Sequence, residues 1–140
     1  MSKVAVVYWS GTGNTKKMAD AVVEGAKNAG AEVELIECSS FDASRISEFD
    51  GIGFGCPSMG VEVLEESSFE PMFESCENSL GGKKVALFGS YGWGDGEWMR
   101  DWEDRCNGKG INLTSDCVIC QESPSADVVE DLKVLGASLA

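Results

Sequence analysis

Histidine is absent from this chain, and basic residues are scarce. Without histidine, the Ser-His and Cys-His pairs that activate a nucleophile cannot form, which excludes that class of hydrolase. Against 24 aspartate and glutamate residues there are 11 lysine and arginine residues, and the net charge of −13 makes nucleic acid and membrane surfaces poor partners. We predict protein partners with basic docking faces, because complementary charge speeds encounter. Acidity also promotes solubility by itself, and that simpler explanation stays open.

Long apolar runs are missing as well, since the longest uninterrupted ones have about six residues. No membrane-spanning segment is therefore predicted. The N-terminal residues include one lysine and no long apolar stretch, so no signal peptide is evident and a cytoplasmic protein is expected. A length of 140 residues with 43% apolar side chains predicts one domain over residues 1–140.

The six cysteines form no recognisable metal-binding pattern. Cys117 and Cys120 have Cys-x-x-Cys spacing, but they lie in an apolar, strand-like run, where residues three apart point to opposite faces. A second such pair is absent, and so is histidine. We therefore predict no zinc site and six reduced, mostly buried thiols.

The most informative stretch is Ser10-Gly11-Thr12-Gly13-Asn14-Thr15, which follows a strand-like apolar run and precedes a helix-like apolar stripe at residues 18–26. Glycines and hydroxyls between a strand and a helix N-terminus suit an anion. The loop lacks the lysine of a nucleoside-triphosphate loop, and Lys16 replaces the third glycine of the dinucleotide fingerprint. We predict one phosphate bound by neutral donors. An ordinary strand-to-helix turn with capping residues is the alternative.

Strands and helices alternate along the rest of the chain. The predicted strands are 32–37, 51–56, 83–89 and a last one over 111–113 and 117–120, either in two pieces or with a bulge. The predicted helices are 65–77, 97–107 with Trp98 and Trp102 in the core, one from 123 onward, and a weak segment at 42–49. This pattern, β-α repeated five times with right-handed crossovers, predicts a parallel sheet covered on both faces. Loops 10–15, 57–62 and 90–96 follow strand carboxyl ends and are expected to converge on one site.

The last two of these loops carry side chains suited to a flat ring. Tyr91 and Trp93 lie among glycines in loop 90–96, where an aromatic side chain can stack on a ligand. Loop 57–62 offers the soft side chain of Met59 and the carboxylate of Glu62. One phosphate and one flat ring describe flavin mononucleotide (FMN). The alternative is a surface that binds another protein.

Three stretches resemble the short-chain flavodoxins of the clostridial and Megasphaera type: residues 7–15, 55–60 and 82–94. The resemblance runs over essentially the whole chain. It implies an α/β fold, a doubly wound five-stranded parallel sheet in the order 2-1-3-4-5 with helices on both faces. It also implies a low-potential electron carrier, not an enzyme, with non-covalent FMN that alternates between semiquinone and anionic hydroquinone. The expected partners of this monomer are reductases, oxidoreductases and iron-sulfur enzymes.

Carried over by position, the resemblance implies contacts to FMN from Ser10, Gly11, Thr12, Gly13, Asn14, Thr15, Pro57, Ser58, Met59, Gly60, Val61, Glu62, Ser90, Tyr91, Gly92 and Trp93. The first six would bind the phosphate. Met59 and Trp93 would cover the inner and outer faces of the ring, and Glu62 would accept the N3–H hydrogen bond. Residues 90–92 would contact the ring edge, with Trp9 more loosely placed nearby.

One departure from the family concerns the turn at Gly60-Val61-Glu62, where clostridial relatives have Gly-Asp-Glu. In the family, a peptide of this turn flips on one-electron reduction and presents the carbonyl of the residue at Gly60 to N5–H. A flipped type II turn would require positive φ at Val61, which a β-branched residue tolerates badly. We hypothesise that the neutral semiquinone is stabilised less in this chain.

The three loops contain no lysine or arginine, so no obvious cation balances the anionic, fully reduced flavin. The second reduction is therefore predicted at clearly negative potential. Three other functions fit less well. An FMN-dependent quinone or nitro reductase would need longer insertions to form a substrate pocket. A receiver domain would need paired acids where the chain has Trp9 and Ser10, and a low-molecular-weight phosphatase would need cysteine and arginine in the first loop.

Overall fold

The computed structural model describes residues 2–11, 13–59, 63–92 and 94–140. Its strands form one parallel sheet: β1 (Lys3–Tyr8), β2 (Glu32–Glu37), β3 (Gly51–Gly55), β4 (Lys84–Tyr91), β5 (Asn112–Leu113) and β6 (Val118–Gln121). The sheet has the order β2-β1-β3-β4-β5, and β6 also pairs with β4. The predicted order 2-1-3-4-5 is confirmed.

Helices cover both faces of the sheet, as predicted. They are α1 (Asn14–Asn28), α2 (Phe69–Cys76), α3 (Glu97–Gly108) and α4 (Ala126–Leu139). The second and third pack on one face, and the first and fourth on the other. A Cβ on Gly25 would lie 2.0 Å from the backbone oxygen of Lys133, so the crossing of α1 and α4 requires glycine there. Among the described residues, no helix is both long enough and apolar enough to cross a membrane.

The register of the central strands brings three loops to the same edge. Tyr8 pairs with Gly55, and Gly55 pairs with Phe88, so the carboxyl ends of β1, β3 and β4 are aligned. The interior residues of these strands are buried and, apart from Ser90, apolar, as expected where both faces of a parallel sheet are covered. The edge strand β2 is only partly buried.

The fifth strand position is split, as predicted. The first piece, β5, pairs with Lys84 and Val85, whereas β6 pairs with the stretch from Phe88 to Tyr91. This second ladder also extends β4 beyond the predicted end at residue 89. The intervening residues, 114–117, make no regular pairing with β4.

The predicted burial of most cysteines and of two tryptophans is confirmed, and so are the opposite faces of Cys117 and Cys120. Cys120 belongs to the core on the α1 and α4 face, and Cys117 packs against the opposite core. All six cysteines are free thiols, and five of them are buried. Burial raises the pKa of Cys38 to about 11, so that thiol is protonated and unreactive at neutral pH. Trp98 and Trp102 are 1% and 2% exposed.

The weak helical segment predicted at residues 42–49 is present as a 3-10 helix, Ala43–Glu48, and a shorter one, Cys38–Ser40, precedes it. The carboxylate of Asp42 accepts a 2.8 Å hydrogen bond from the Ser44 amide, which favours a turn at this point. The second helix begins at Phe69 and not at residue 65, because the Glu65 side chain accepts hydrogen bonds from the amides that precede the helix.

Candidate cofactor site

A cavity of about 340 Å³ opens at the carboxyl edge of the sheet, a volume within the range of roughly 300–1,000 Å³ usual for small-molecule sites. Its described lining comes from the three loops and from the residue after β6: Trp9, Gly11, Asn14, Pro57, Ser58, Met59, Ser90, Tyr91, Gly92 and Glu122. The structure thus brings together the three loops that the sequence singled out.

The first loop leaves the N-terminus of α1 available to an anion. Ser10 Oγ accepts a 3.0 Å hydrogen bond from the Gly13 amide, which precedes the helix. The first intrahelical bond runs from the Lys17 amide to the Gly13 carbonyl oxygen. No described side chain caps α1, and its first turn has no acidic residue. The amides of that turn and the positive end of the helix dipole therefore favour a bound anion, and the capping alternative gains no support.

Ser90 links all three loops. Its hydroxyl lies 3.0 Å from the hydroxyl of Thr15, and its backbone oxygen accepts a 2.9 Å hydrogen bond from the Ser58 amide. Ser90 is 4% exposed and Thr15 is 1% exposed. Because a buried hydroxyl without a partner is costly, this pair holds the first loop against the end of β4.

The second loop is closed as a small hairpin. The Met59 amide donates to the Val63 oxygen at 2.9 Å, and the Val63 amide donates to the Met59 oxygen at 3.0 Å. These two side chains are each 36% exposed. Residues 60–62, which the hairpin encloses, lie outside the described residues.

A buried tryptophan, Trp98, contacts residues at the second and third loops. The indole N–H of Trp98 donates a 3.2 Å hydrogen bond to the backbone oxygen of Cys56, immediately before the second loop. The rings of Trp98 and Tyr91 are 5.6 Å apart and tilted by 53°. Where β3 and β4 end, a Cβ on Gly89 would lie 2.2 Å from the Cys56 oxygen, so only glycine fits. The residues that support these two loops are therefore closely packed.

The predicted site residues occupy three kinds of position. Eight line the cavity: Gly11, Asn14, Pro57, Ser58, Met59, Ser90, Tyr91 and Gly92. Ser10 and Gly13 line an adjoining cavity along the outer side of the first loop, and Thr15 is buried behind the loop. The remaining five, Thr12, Gly60, Val61, Glu62 and Trp93, lie outside the described residues, so their contacts remain predictions.

The sequence matches the family profile described as Flavodoxin over residues 6–133. The chain belongs to the flavodoxin family. It is 46% identical to the flavodoxin of Clostridium beijerinckii over 135 residues, which cover 96% of this chain and 97% of the relative. It is 43% identical to the flavodoxin of Megasphaera elsdenii over 137 residues, covering 98% of both chains.

Solved flavodoxin structures have the same fold. The solution structure of two-electron reduced Megasphaera elsdenii flavodoxin superposes with a TM-score of 0.88, covering 96% of this chain and 98% of that one at 43% identity. Oxidised flavodoxin 1 from Bacillus cereus gives a TM-score of 0.85, covering 99% and 97% at 26% identity. Flavodoxins bind FMN and act as electron carriers that do not turn over a substrate.

The chemistry of this flavodoxin's cavity fits FMN. Gly11 and Asn14 place the N-terminus of α1 at one end, where a phosphate can accept from backbone amides. Trp9, Met59 and Tyr91 supply apolar surface that can lie against a flat ring. The lining therefore combines both requirements of the cofactor in one cavity.

The charged side chains at the two cavities are acidic residues and a lysine that is paired with an aspartate. Its described lining contains one carboxylate, Glu122, and no lysine or arginine. Lys16 lines the adjoining cavity, but its ammonium donates to Asp20 at 2.8 Å, and this hydrogen bond raises the pKa of the lysine above its ordinary value. The charge of Lys16 is thus already paired beside the first loop.

Glu122 is the cavity residue that the sequence analysis missed. It has a left-handed backbone (φ 59°), and its amide donates a 2.8 Å hydrogen bond to the Tyr91 oxygen. It follows the carboxyl end of β6, so the rule that selected the other loops applies to it as well. The residues around Glu122 contain no glycine-rich or aromatic motif that would have marked a binding loop.

Proposed function

We propose that this flavodoxin binds FMN non-covalently in the cavity between its three loops and carries single electrons at low potential. One observation carries the proposal. A helix N-terminus with neutral donors and a set of ring-binding side chains open into the same cavity, with no described cation in its lining. When bound, FMN supplies the redox chemistry, and the protein supplies binding, orientation and electrostatics.

The phosphate would be bound by loop 10–15. The amides at the start of α1 would donate to it, together with the hydroxyls and the amide of the loop: Ser10, Gly11, Thr12, Gly13, Asn14 and Thr15. The pairing of Thr15 with Ser90 keeps one hydroxyl oriented in the buried layer behind the loop. Because all these donors are neutral, no side-chain cation of the loop would offset the charge of the bound phosphate.

The ring would lie between the second and third loops. Met59 would face its inner side and Trp93 its outer side, while Tyr91 and the backbone of residues 90–92 would contact its edge. Glu62 would accept from N3–H. Support comes from the position of Met59 and Tyr91 in the cavity lining. The remaining contacts of Pro57, Ser58, Gly60 and Val61 follow from the family resemblance.

The partners would be redox proteins with basic docking faces, including reductases, oxidoreductases and iron-sulfur enzymes. The net charge of −13 supports this expectation, as does the partly exposed apolar surface of Met59 and Val63 beside the cavity. We infer further that the chain acts as a single-domain cytoplasmic monomer.

Stepwise reduction of the purified protein with dithionite, followed by visible spectroscopy, tests the proposal. We expect a yellow protein that passes through a blue stage before it is bleached. A colourless protein that takes up no added FMN would overturn the proposal. Steady reduction of a quinone by NAD(P)H without a partner protein would favour the FMN-enzyme alternative.

A further inference from the structure

Glu65 is a buried carboxylate outside the cofactor-binding loops. The residue is 6% exposed and its side chain accepts four hydrogen bonds, two on each oxygen. Oε1 accepts from the amides of Ser68 and Phe69 at 2.8 and 2.9 Å. Oε2 accepts from the Ser67 amide at 2.9 Å and from the Ser67 hydroxyl. Every one of these donors belongs to the start of α2 or to the residues just before it.

The hydrogen bonds keep this side chain ionised. Burial by itself would raise the pKa of the Glu65 carboxyl, but the bonds from residues 67–69 outweigh it and hold the pKa below its ordinary value. Bonds to a charged acceptor are stronger than those between neutral groups. Glu65 is therefore firmly attached to the N-terminus of α2.

The backbone of Glu65 is joined to the start of the second loop. Its amide donates a 3.3 Å hydrogen bond to the sulfur of Cys56, the residue before that loop. Two residues earlier, Val63 forms the pair with Met59 that closes the hairpin. Leu64, between them, is buried. The entry to the loop, its exit and the start of α2 are thus connected through one residue.

Glu66 provides a natural comparison. It has the same side chain and charge, and it lines the same 280 Å³ cavity beside Met59 and Val63. It is exposed, and it makes no hydrogen bond or ion pair with the described part of the chain. The two residues differ in contacts and burial while lying at neighbouring positions. Matched variants at the two positions can therefore distinguish the effect of losing a negative charge from the effect of losing the hydrogen bonds of Glu65.

We infer that Glu65 is a positioning residue that fixes the closing pair of the hairpin, Met59 and Val63, against α2, so that Met59 is held in place against the flavin. The inference rests on the proposed function of that loop. Glu65 is not among the described residues that line the cofactor cavity. It acts through the hairpin, by fixing where the loop leaves the sheet and where it rejoins the helix.

The test compares E65A and E65Q with E66A and E66Q, using three measurements. Amide hydrogen exchange of the apoprotein reports the hairpin and helix start directly. Titration of apoprotein with FMN gives the dissociation constant, and spectroelectrochemistry gives the first one-electron potential.

For E65A we expect about tenfold faster exchange at Val63 and Phe69 and about tenfold weaker FMN binding, because several amides lose their acceptor. We expect E65Q, which keeps one of the two oxygens, to be intermediate, and the Glu66 variants to stay within about twofold of the parent.

The first potential should shift in E65A and E65Q but not to the same extent in the Glu66 variants. Equal shifts in E65Q and E66Q would mean that only charge acts, and would overturn the inference. Faster exchange with unchanged FMN affinity and potential would mean a purely structural role, and would overturn it too. If E65A does not fold, E65Q decides by the same criteria. If the parent protein binds no FMN, the proposed function and this inference are both overturned. If the parent binds FMN and the Glu65 variants behave like the parent, only the inference is overturned.

Discussion

The first and second loops of the cofactor site leave the same edge of one sheet, but the protein holds them in different ways. The first is attached to the core by a buried hydroxyl pair, Thr15 with Ser90, and continues directly into a 15-residue helix. The second is a hairpin whose closing residues, Met59 and Val63, are each 36% exposed. This difference predicts that the two loops have different roles. We expect the buried first loop to have the larger influence on how tightly FMN binds, and the exposed hairpin to have the larger influence on its redox potentials.

The largest effect is expected from T15V, which removes the buried hydroxyl and leaves Ser90 Oγ without this partner. FMN binding should weaken by about 10- to 100-fold, because a buried hydrogen bond and a phosphate donor are lost together. Titration of apoprotein with FMN measures the change.

T114V is the control, since Thr114 Oγ1 lies 2.9 Å from Ser138 Oγ in a half-buried hydroxyl pair outside the cofactor loops. It should lower stability without changing FMN affinity. Equal loss of affinity in both variants would show that T15V acts through stability alone. The assignment of binding strength to the first loop would then fail.

The next largest effect is expected on the first one-electron potential, from a variant that removes the strain predicted at Val61. V61G should raise the first one-electron potential, because glycine adopts positive φ without the cost that valine incurs. A relief of about 1–2 kcal/mol corresponds to about 40–90 mV for one electron. Spectroelectrochemistry measures the potential, and FMN affinity should change far less. A V61G protein whose first potential matches that of the parent would remove the basis for the strain hypothesis.

A smaller effect is expected from E122Q, which removes the one carboxylate in the described cavity lining. At a distance of about 10 Å, a unit charge contributes about 0.4–1.7 kcal/mol, or about 20–70 mV, to the energy of the anionic reduced flavin. The second potential should therefore rise, and the shift should shrink at high salt. E32Q, at the amino-terminal end of β2 on the opposite edge of the sheet, should shift it less. Equal shifts would indicate that only net charge matters.

The smallest effect is expected from K16A. The lysine lies beside the first loop, but its side chain is 41% exposed and already paired with Asp20. FMN affinity should fall by less than about threefold, because exposed ion pairs contribute little. A larger loss, measured by the same titration, would show that the phosphate depends on a cation. The description of this site as a set of neutral donors would then need revision.

Much of the fold was predictable because its signals are local. The apolar run of β1, the glycines and hydroxyls after it and the stripe of α1 are contiguous, and their periodicity follows from backbone geometry. The split fifth strand was also visible in the apolar pattern. The start of α2 was misplaced because Glu65, a good helix former, is used here as a hydrogen-bond acceptor for the amides ahead of the helix.

By itself, then, the sequence determined which segments become strands and helices, which loops follow strand ends, and that the loops contain no cation. Only the tertiary structure decided that Ser90 pairs with Thr15, 75 positions away, that Glu65 accepts a hydrogen bond from the start of α2 and that Glu122 lines the cavity. The reason is physical. Local pattern follows from backbone geometry and apolar periodicity, whereas hydrogen bonds between distant residues depend on which strands the crossovers place side by side.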